Sequence, residues 1–176
     1  MVRVPGEVRL RLAVDADVPT LRHWDTKPHV ISATGSDDVQ DWATEIHGDP
    51  GIFEVLIAEE DQRPIGVVQI IDPLLEPSHY WGEVEENLRA IDIWIGEEAD
   101  LGRGLGTRMM QLALERCFAP SQITAVIIDP LETNTRAHAF YEHLGFVVVG
   151  PEVFGQDRCL VHRLTRQRWA ALREGS

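Results

Sequence analysis

Acidic side chains gather around one apolar segment of the sequence, and carboxylates attract cations. Asp92 interrupts the otherwise apolar run of residues 91–95, and Asp129 ends the next apolar run. An acidic run, which includes Glu83 and Glu85, precedes Asp92, although such a run is usually a solvated loop. A buried charge within an apolar strand requires a binding partner or a functional role. The alternative is that strand alternation turns Asp92 toward solvent.

A second segment suited to binding a ligand is the glycine-rich turn at residues 101–107, which reads Leu-Gly-Arg-Gly-Leu-Gly-Thr. Its glycines let the backbone turn tightly and direct unpaired N–H groups at a ligand, and the helix that follows adds partial positive charge. With full charges from Arg103 and Arg108, the turn predicts a pyrophosphate site. The turn lacks the Gly-Lys-Ser/Thr ending of a P-loop and the glycine spacing of a dinucleotide-binding motif. The alternative is a glycine-rich turn that binds no ligand.

The pattern of apolar residues predicts a mixed α/β sheet to hold these groups. Alternating or continuous apolar runs predict strands at residues 8–14, 53–59, 64–71, 89–95, 124–128, 146–149 and 159–164. Helical spacing predicts about four helices, between Asp15 and Pro28 and at residues 36–47, 107–118 and 134–144. The tail, residues 165–176, is short and polar, so we expect it to fray.

Length and composition bound the class of protein. A chain of 176 residues suits one domain, and without a segment typical of a membrane span or signal peptide we expect a soluble cytoplasmic protein. The formal net charge of −13 argues against nucleic acid or an anionic membrane as partner and favours a cationic one. Cys117 and Cys159 lack disulfide or ligand spacing, and His138 with His143 lacks the spacing of a metal pair. We therefore expect two unpaired thiols and no metal.

Two motifs in the second half of the chain resemble the GNAT acetyltransferases. The turn at residues 101–106 is similar to their acyl-CoA signature, with Leu101 in place of a polar residue, and Asn134, Ala137, Tyr141 and the Gly145-Phe146 pair match a second element downstream. The resemblance implies acetyl-CoA as co-substrate and a sheet that splays between its fourth and fifth strands. It also implies cofactor-binding positions at Trp94, Ile95, Gly102, Arg103, Gly104, Leu105, Gly106, Thr107 and Asn134. Tyr141 would lie near the thioester sulfur and protonate the departing thiolate.

Within that family, the segments around residues 89–92, 101–107 and 129–137 look like those of the aminoglycoside 6′-N-acetyltransferases. This narrower resemblance implies that Asp92 contacts the acceptor amine as the base and that Asp129 helps to hold the acceptor. Trp81, Glu83 and Glu85 would belong to the substrate-side loop. Residues 29–35 lack the paired tryptophans of that family, so the acceptor stays open.

These resemblances lead to three hypotheses for one domain over residues 1–176, with its acceptor side in the N-terminal half and its acetyl-CoA core at residues 89–164. The first is transfer of an acetyl group to the 6′-amine of a cationic aminoglycoside, which would confer resistance. The second keeps the fold but takes a polyamine, a siderophore precursor or a protein amine as acceptor. The third is an inactive module that binds acetyl-CoA or an aminoglycoside. A monomer and a homodimer are both compatible with the sequence.

Overall fold

A computed structural model describes residues 4, 6–34 and 40–175 of the chain. Its strands are β1 (Val8–Leu12), β2 (Phe53–Glu60), β3 (Arg63–Ile71), β4 (Leu88–Ile95), β5 (Ala125–Ile128), β6 (Val147–Phe154) and β7 (Asp157–Thr165). Its α-helices are α1 (Val18–Trp24), α2 (Pro28–Thr34), α3 (Trp42–Glu45), α4 (Leu105–Phe118), α5 (Thr135–His143) and α6 (Arg166–Glu174). Short 3-10 turns, Asp15–Asp17 and Glu98–Asp100, precede α1 and the glycine turn.

The strands form one sheet in the order β1-β2-β3-β4-β5-β7-β6. Neighbouring strands are antiparallel except β4 and β5, which are parallel. β4 pairs with β5 only from Leu88 to Ala90, whereas its pairing with β3 continues to Ile95. The two strands therefore diverge after Ala90, and within the described chain residues 91–95 have a partner strand on the β3 side alone. This mostly antiparallel, splayed sheet confirms the predicted fold class.

Alternation along β4 sends its side chains into two different cores. Ile91 shares a core with Met109 and Met110 of α4. Trp94 packs on the opposite face of the sheet, in a core that also contains Trp42 of α3. Asp92 lies two residues before Trp94 in the strand, so its side chain points to the same face of the sheet, which α1 and α3 cover.

The region between β1 and β2 differs from the prediction. The sequence predicts a helix over residues 36–47, of which residues 35–39 lie outside the described part, and the remainder contains only the four-residue helix α3. Helix α1 ends at Trp24, before Pro28 as predicted, but Pro28 begins a further helix, α2, that the sequence did not predict. Proline suits the first helical position because the N–H it lacks would have no partner there. His29 of α2 donates from Nε2 to the Ile95 carbonyl oxygen at 2.9 Å, which ties this helix to the end of β4.

The prediction that the tail frays is wrong over its described residues. Thr165 caps α6 by accepting a hydrogen bond from the Arg168 backbone N–H at 3.2 Å. Trp169 then stacks on Phe118 at the end of α4, with ring centroids 4.7 Å apart. One aromatic contact across the sequence thus supplies the apolar burial that a short polar tail lacks by itself. Among the helices that the structure describes, none is both long and apolar enough to cross a membrane.

Candidate active site

The divergence of β4 and β5 opens a cleft with a volume of about 390 Å³. Asp92 of β4, Asp129 after β5 and Tyr141 of α5 line it together, as do Trp81 and Asn134. These residues come from separate segments of the chain, and the sheet register brings them to one place. The three residues predicted from the sequence thus bring two carboxyl groups and a phenol to a space where a small molecule fits.

Asp129 is held by two aromatic side chains from the loop between β3 and β4. Tyr80 Oη donates to Asp129 Oδ2 at 3.1 Å, and Trp81 Nε1 donates to Asp129 Oδ1 at 3.2 Å. Tyr80 also stacks on Phe154 of β6, with centroids 4.9 Å apart, so the loop is anchored to the β6–β7 hairpin. Burial, followed by the negative charge of Asp92, raises the pKa of Asp129 to about 7. Asp129 therefore titrates near neutral pH.

Asp92 is half-buried and lies directly across the β3–β4 ladder from Gln69. After burial, its negative charge is the next cause of the raised pKa values of both Asp129 and Tyr141. Asp92 thus faces the same space as these two groups. A carboxylate in this position can accept a proton from an ammonium group bound between it and Asp129.

Tyr141 is buried where α5 covers the cleft. Its ring packs edge-on against Phe146, with centroids 5.8 Å apart. Burial, and then the charges of Asp92 and Asp129, raise the pKa of Tyr141 above its usual value. The hydroxyl keeps its proton at neutral pH, so it is a hydrogen-bond donor toward the cleft.

The side chains of Asn134 and Trp94 also line the cleft. The Asn134 side-chain oxygen caps α5 by accepting from the Ala137 backbone N–H at 3.2 Å, which leaves its amide nitrogen for a ligand. The indole N–H of Trp94 is buried, and the described residues provide no hydrogen-bond partner for it. Buried donors are normally satisfied, so this indole is an exception within the core that it shares with Trp42.

The glycine turn has the backbone geometry of an anion-binding loop. Gly102 and Gly104 adopt left-handed φ angles of 71° and 78°, and Gly104 is the N-cap of α4. A Cβ at either position would meet no atom within 4 Å, so the left-handed backbone and not the available space favours glycine there. Leu105 is buried in the core beneath the turn, so only its backbone can reach a ligand. Gly106 and Thr107 form the next part of the first turn of α4, where N–H groups lack intrahelical partners.

Arg103 does not supply the uncompensated charge that the sequence predicts for this turn. Its guanidinium donates to Glu60 Oε1 at 2.8 Å and to Asp100 Oδ1 at 2.8 Å. Arg63 binds the same two carboxylates, so the four side chains form one closed network. Arg103 therefore positions the turn against β2 and the Glu98–Asp100 turn. Arg108 is exposed beside the turn.

The acidic loop after Trp81 turns away from the cleft. Glu83 and Glu85 are exposed and do not line the cleft, and Glu85 is ion-paired with Arg163 at 2.5 Å. Residues that sequence reasoning missed take the place of these two in the lining: Glu45, Gln69, Glu76, Tyr80 and Asp157. Gln69 carries the same signal that singled out Asp92, a polar residue inside an apolar strand.

These features fit the two polar portions of a coenzyme A thioester. A pyrophosphate needs N–H donors, which the left-handed glycines and the first turn of α4 present. The pantetheine amides need an extended backbone edge, and β4 has no partner among the described strands on its β5 side after Ala90, although the Ile95 carbonyl in this stretch already accepts from His29. Among the described residues, no group of three or more His, Cys, Asp or Glu side chains is arranged to hold a metal ion.

The geometry agrees with comparisons to known proteins. Residues 13–153 match the acetyltransferase (GNAT) domain family, so the chain belongs to the GNAT acetyltransferases, whose acetyl donor is acetyl-CoA. The aminoglycoside N(6′)-acetyltransferase type 1 of Klebsiella pneumoniae is 27% identical over 147 residues, which cover 79% of this chain and 73% of that protein. A kanamycin resistance protein of Rhizobium radiobacter is 35% identical over 74 residues, which cover 42% of this chain and 68% of that protein.

Solved structures show the same similarity. The aminoglycoside acetyltransferase AAC(6′)-Ib in complex with coenzyme A and kanamycin has a TM-score of 0.84 at 26% identity, over 95% of this chain and 99% of that chain. Its complex with ribostamycin and coenzyme A has a TM-score of 0.86 at 25% identity, over 97% and 100% of the two chains. The predicted family, fold and acetyl donor are therefore confirmed.

Proposed function

We propose that this protein transfers the acetyl group of acetyl-CoA to a primary amine of a polycationic small molecule, with the 6′-amine of an aminoglycoside antibiotic as acceptor. The acetyl-transfer chemistry follows from the family, and the choice of a cationic acceptor follows from the acidic side chains of the cleft. The names of the similar proteins support this choice of acceptor. The formal net charge of −13 supports a cationic acceptor in general, because a negatively charged protein attracts cations from a distance.

A contrast between two kinds of carboxylate carries the proposal. Away from the cleft, Glu60 and Asp100 are buried in ion pairs with Arg103. In the cleft, Asp129 and Glu45 accept hydrogen bonds from neutral groups, and no described Arg, Lys or His side chain forms an ion pair with either. Because desolvated carboxylates without a counter-charge are unfavourable, these two are suited to a ligand that brings its own positive charges.

In this mechanism Asp92 removes a proton from the bound ammonium group, because only the neutral amine can attack. Acetyl-CoA would supply the thioester: the amine nitrogen bonds to its carbonyl carbon and the C–S bond breaks. The nitrogen then loses its second proton and the coenzyme A thiolate takes up one proton, so that one proton is released to solvent overall. Tyr141 donates a hydrogen bond to the departing sulfur. Since burial raises the pKa of this phenol, it keeps its proton more firmly than a free tyrosine, and hydrogen-bond donation is its main contribution.

The cofactor would be held along the β4 edge near Trp94 and Ile95, by the turn from Gly102 to Thr107 and by the Asn134 amide. Arg103 would act indirectly by positioning the turn. This assigns acetyl-CoA binding to residues 89–164 and acceptor binding to the N-terminal half together with Asp92 and Asp129, in one domain. A cytoplasmic location, where acetyl-CoA is available, is part of the proposal.

The proposal is tested by incubating the purified protein with acetyl-CoA and, separately, kanamycin, tobramycin, spermidine and a lysine peptide, followed by mass spectrometry. We expect one added acetyl group on the aminoglycosides, mapped to the 6′ position by fragmentation. Acetylation of spermidine or the peptide alone would reject the aminoglycoside acceptor. Acetyl-CoA binding without any product would reject transfer to every acceptor in this panel.

A further inference from the structure

Glu45, the last residue of α3, brings a carboxylate to the cleft that none of the sequence motifs contains. It lines the same cleft as Asp92 and Asp129, on the face of the sheet that α1 and α3 cover. Gln69 Nε2 donates to Glu45 Oε2 at 3.1 Å, and Gln40, with its amide nitrogen turned toward this carboxylate, donates to both oxygens at 2.9 Å. Glu45 thus sits between two neutral amides at the edge of the cleft.

The sheet register fixes how Glu45 is placed relative to the proposed base. Gln69 is the direct cross-strand partner of Asp92 in the β3–β4 ladder, and such partners have Cβ atoms about 5 Å apart on the same face. The Gln69 side chain extends from that point to Glu45. Asp92, Gln69 and Glu45 therefore form a row along the cleft, and one glutamine side chain separates its two carboxylates.

We propose that Glu45 is a specificity-determining residue that binds a second ammonium group of the acceptor while Asp92 and Asp129 hold the reacting one. This inference rests on the proposed function and narrows its substrate class: the preferred acceptor carries two amines spaced by about the length of the Asp92–Glu45 row. A single-amine acceptor would leave Glu45 without its counter-charge.

The surroundings of Glu45 favour ligand binding over a purely structural role. Burial raises the pKa of Glu45, the hydrogen bonds from Gln69 and from the Asp41 backbone lower it, and the charges of Asp41 and Asp25 raise it again. A neutral glutamine at this position would accept the same hydrogen bond from Gln69 without a desolvated charge, so packing of α3 alone does not require a carboxylate. The anchor of α3 is instead Trp42, which is fully buried and donates to Asp25 at 2.6 Å.

Steady-state kinetics with two acceptors test this inference. Kanamycin carries several amines, whereas 6-amino-6-deoxyglucose presents a similar reacting amine alone. For Glu45→Gln we expect the KM for kanamycin to rise about tenfold, corresponding to about 1.4 kcal/mol, with kcat changed by less than about twofold. The KM for the single-amine sugar should stay unchanged. Glu115→Gln, which removes one exposed carboxylate of α4 outside the cleft, is the matched charge control and should alter neither KM.

Calorimetric titration of kanamycin into the wild type and Glu45→Gln separates this inference from the proposed function, because it measures binding without turnover. A tenfold weaker Kd in the variant supports the role of Glu45 even if no amine is acetylated. Glu45→Ala, checked for an unchanged thermal midpoint, repeats the test with a different side chain. Equal Kd values, equal KM increases for both acceptors, or no binding of kanamycin to the wild type would each overturn the inference.

Discussion

Removing the Tyr80 hydroxyl should shift the pH dependence of acceptor use. In Tyr80→Phe the Asp129 carboxylate loses the hydrogen bond to its Oδ2, which is 3.1 Å long, and keeps the one from Trp81. A hydrogen bond to a charged group contributes about 1.5 to 3 kcal/mol, and the lower end applies because Tyr80 is 37% exposed. Since one pKa unit corresponds to about 1.4 kcal/mol, the pKa of Asp129 should rise by about one unit from its value of about 7.

The direction of the change in kcat/KM follows from which protonation state of Asp129 binds the acceptor. Asp129 attracts an ammonium group only when ionised, so kcat/KM for the acceptor should increase as pH rises through the pKa of Asp129. A rise of about one unit lowers the ionised fraction near pH 7 about fivefold and leaves it nearly unchanged near pH 9. The assay is kcat/KM for kanamycin at saturating acetyl-CoA across this range, with the midpoint of the acidic limb as the readout.

Phe154→Leu is the matched control for this shift. It removes the ring on which Tyr80 stacks but leaves the phenol hydroxyl in the protein. We expect a modest rise in KM with the acidic midpoint unchanged. An acidic midpoint in Tyr80→Phe that stays at the wild-type value, or moves to lower pH, would refute the argument that this hydrogen bond tunes Asp129.

Three further substitutions test other parts of the site. Asp92→Asn should lower kcat by about 10² to 10³-fold while the Kd for acetyl-CoA, measured by calorimetry, stays near the wild-type value, and undiminished turnover would exclude Asp92 as the base. Gly104→Ala forces a side chain onto a φ of 78°, so it should cost about 1 to 2 kcal/mol, lower the thermal midpoint by several degrees and raise the KM for acetyl-CoA. Asp129→Asn should become more stable relative to the wild type as pH rises from about 4 to about 8. Folding raises the pKa of the Asp129 carboxyl from 3.8 to about 7, so the folded wild type binds more protons than the unfolded chain in this window. The wild type therefore loses stability as pH rises, and the asparagine variant does not. The gain is at most about 4 kcal/mol, and differential scanning calorimetry at the two pH values would show a constant difference if the reasoning is wrong.

Local patterns in the sequence were sufficient for most of the sheet and for the cofactor turn. Strand periodicity predicts β4 within one residue of its observed start, and the glycines at 102 and 104 predict a left-handed turn, because few other residues adopt that backbone at low cost. The β6 strand is longer than its apolar core suggests, since it pairs with β7 as far as Phe154. Helix α6 was missed because its stability depends on Trp169 contacting Phe118, a contact that periodicity does not encode.

The acceptor side of the cleft depended on tertiary structure. The sequence by itself determined that Asp92 is a charge in an apolar strand and that the chain is of the acetyl-CoA-binding type, because both rest on residues close together in the chain. Only the fold decided that Glu45 reaches Gln69, that Tyr80 holds Asp129, and that Arg103 is neutralised by Glu60. Each of these contacts joins residues more than about 20 positions apart, so it exists only once strand register and helix packing have placed both partners on the same face.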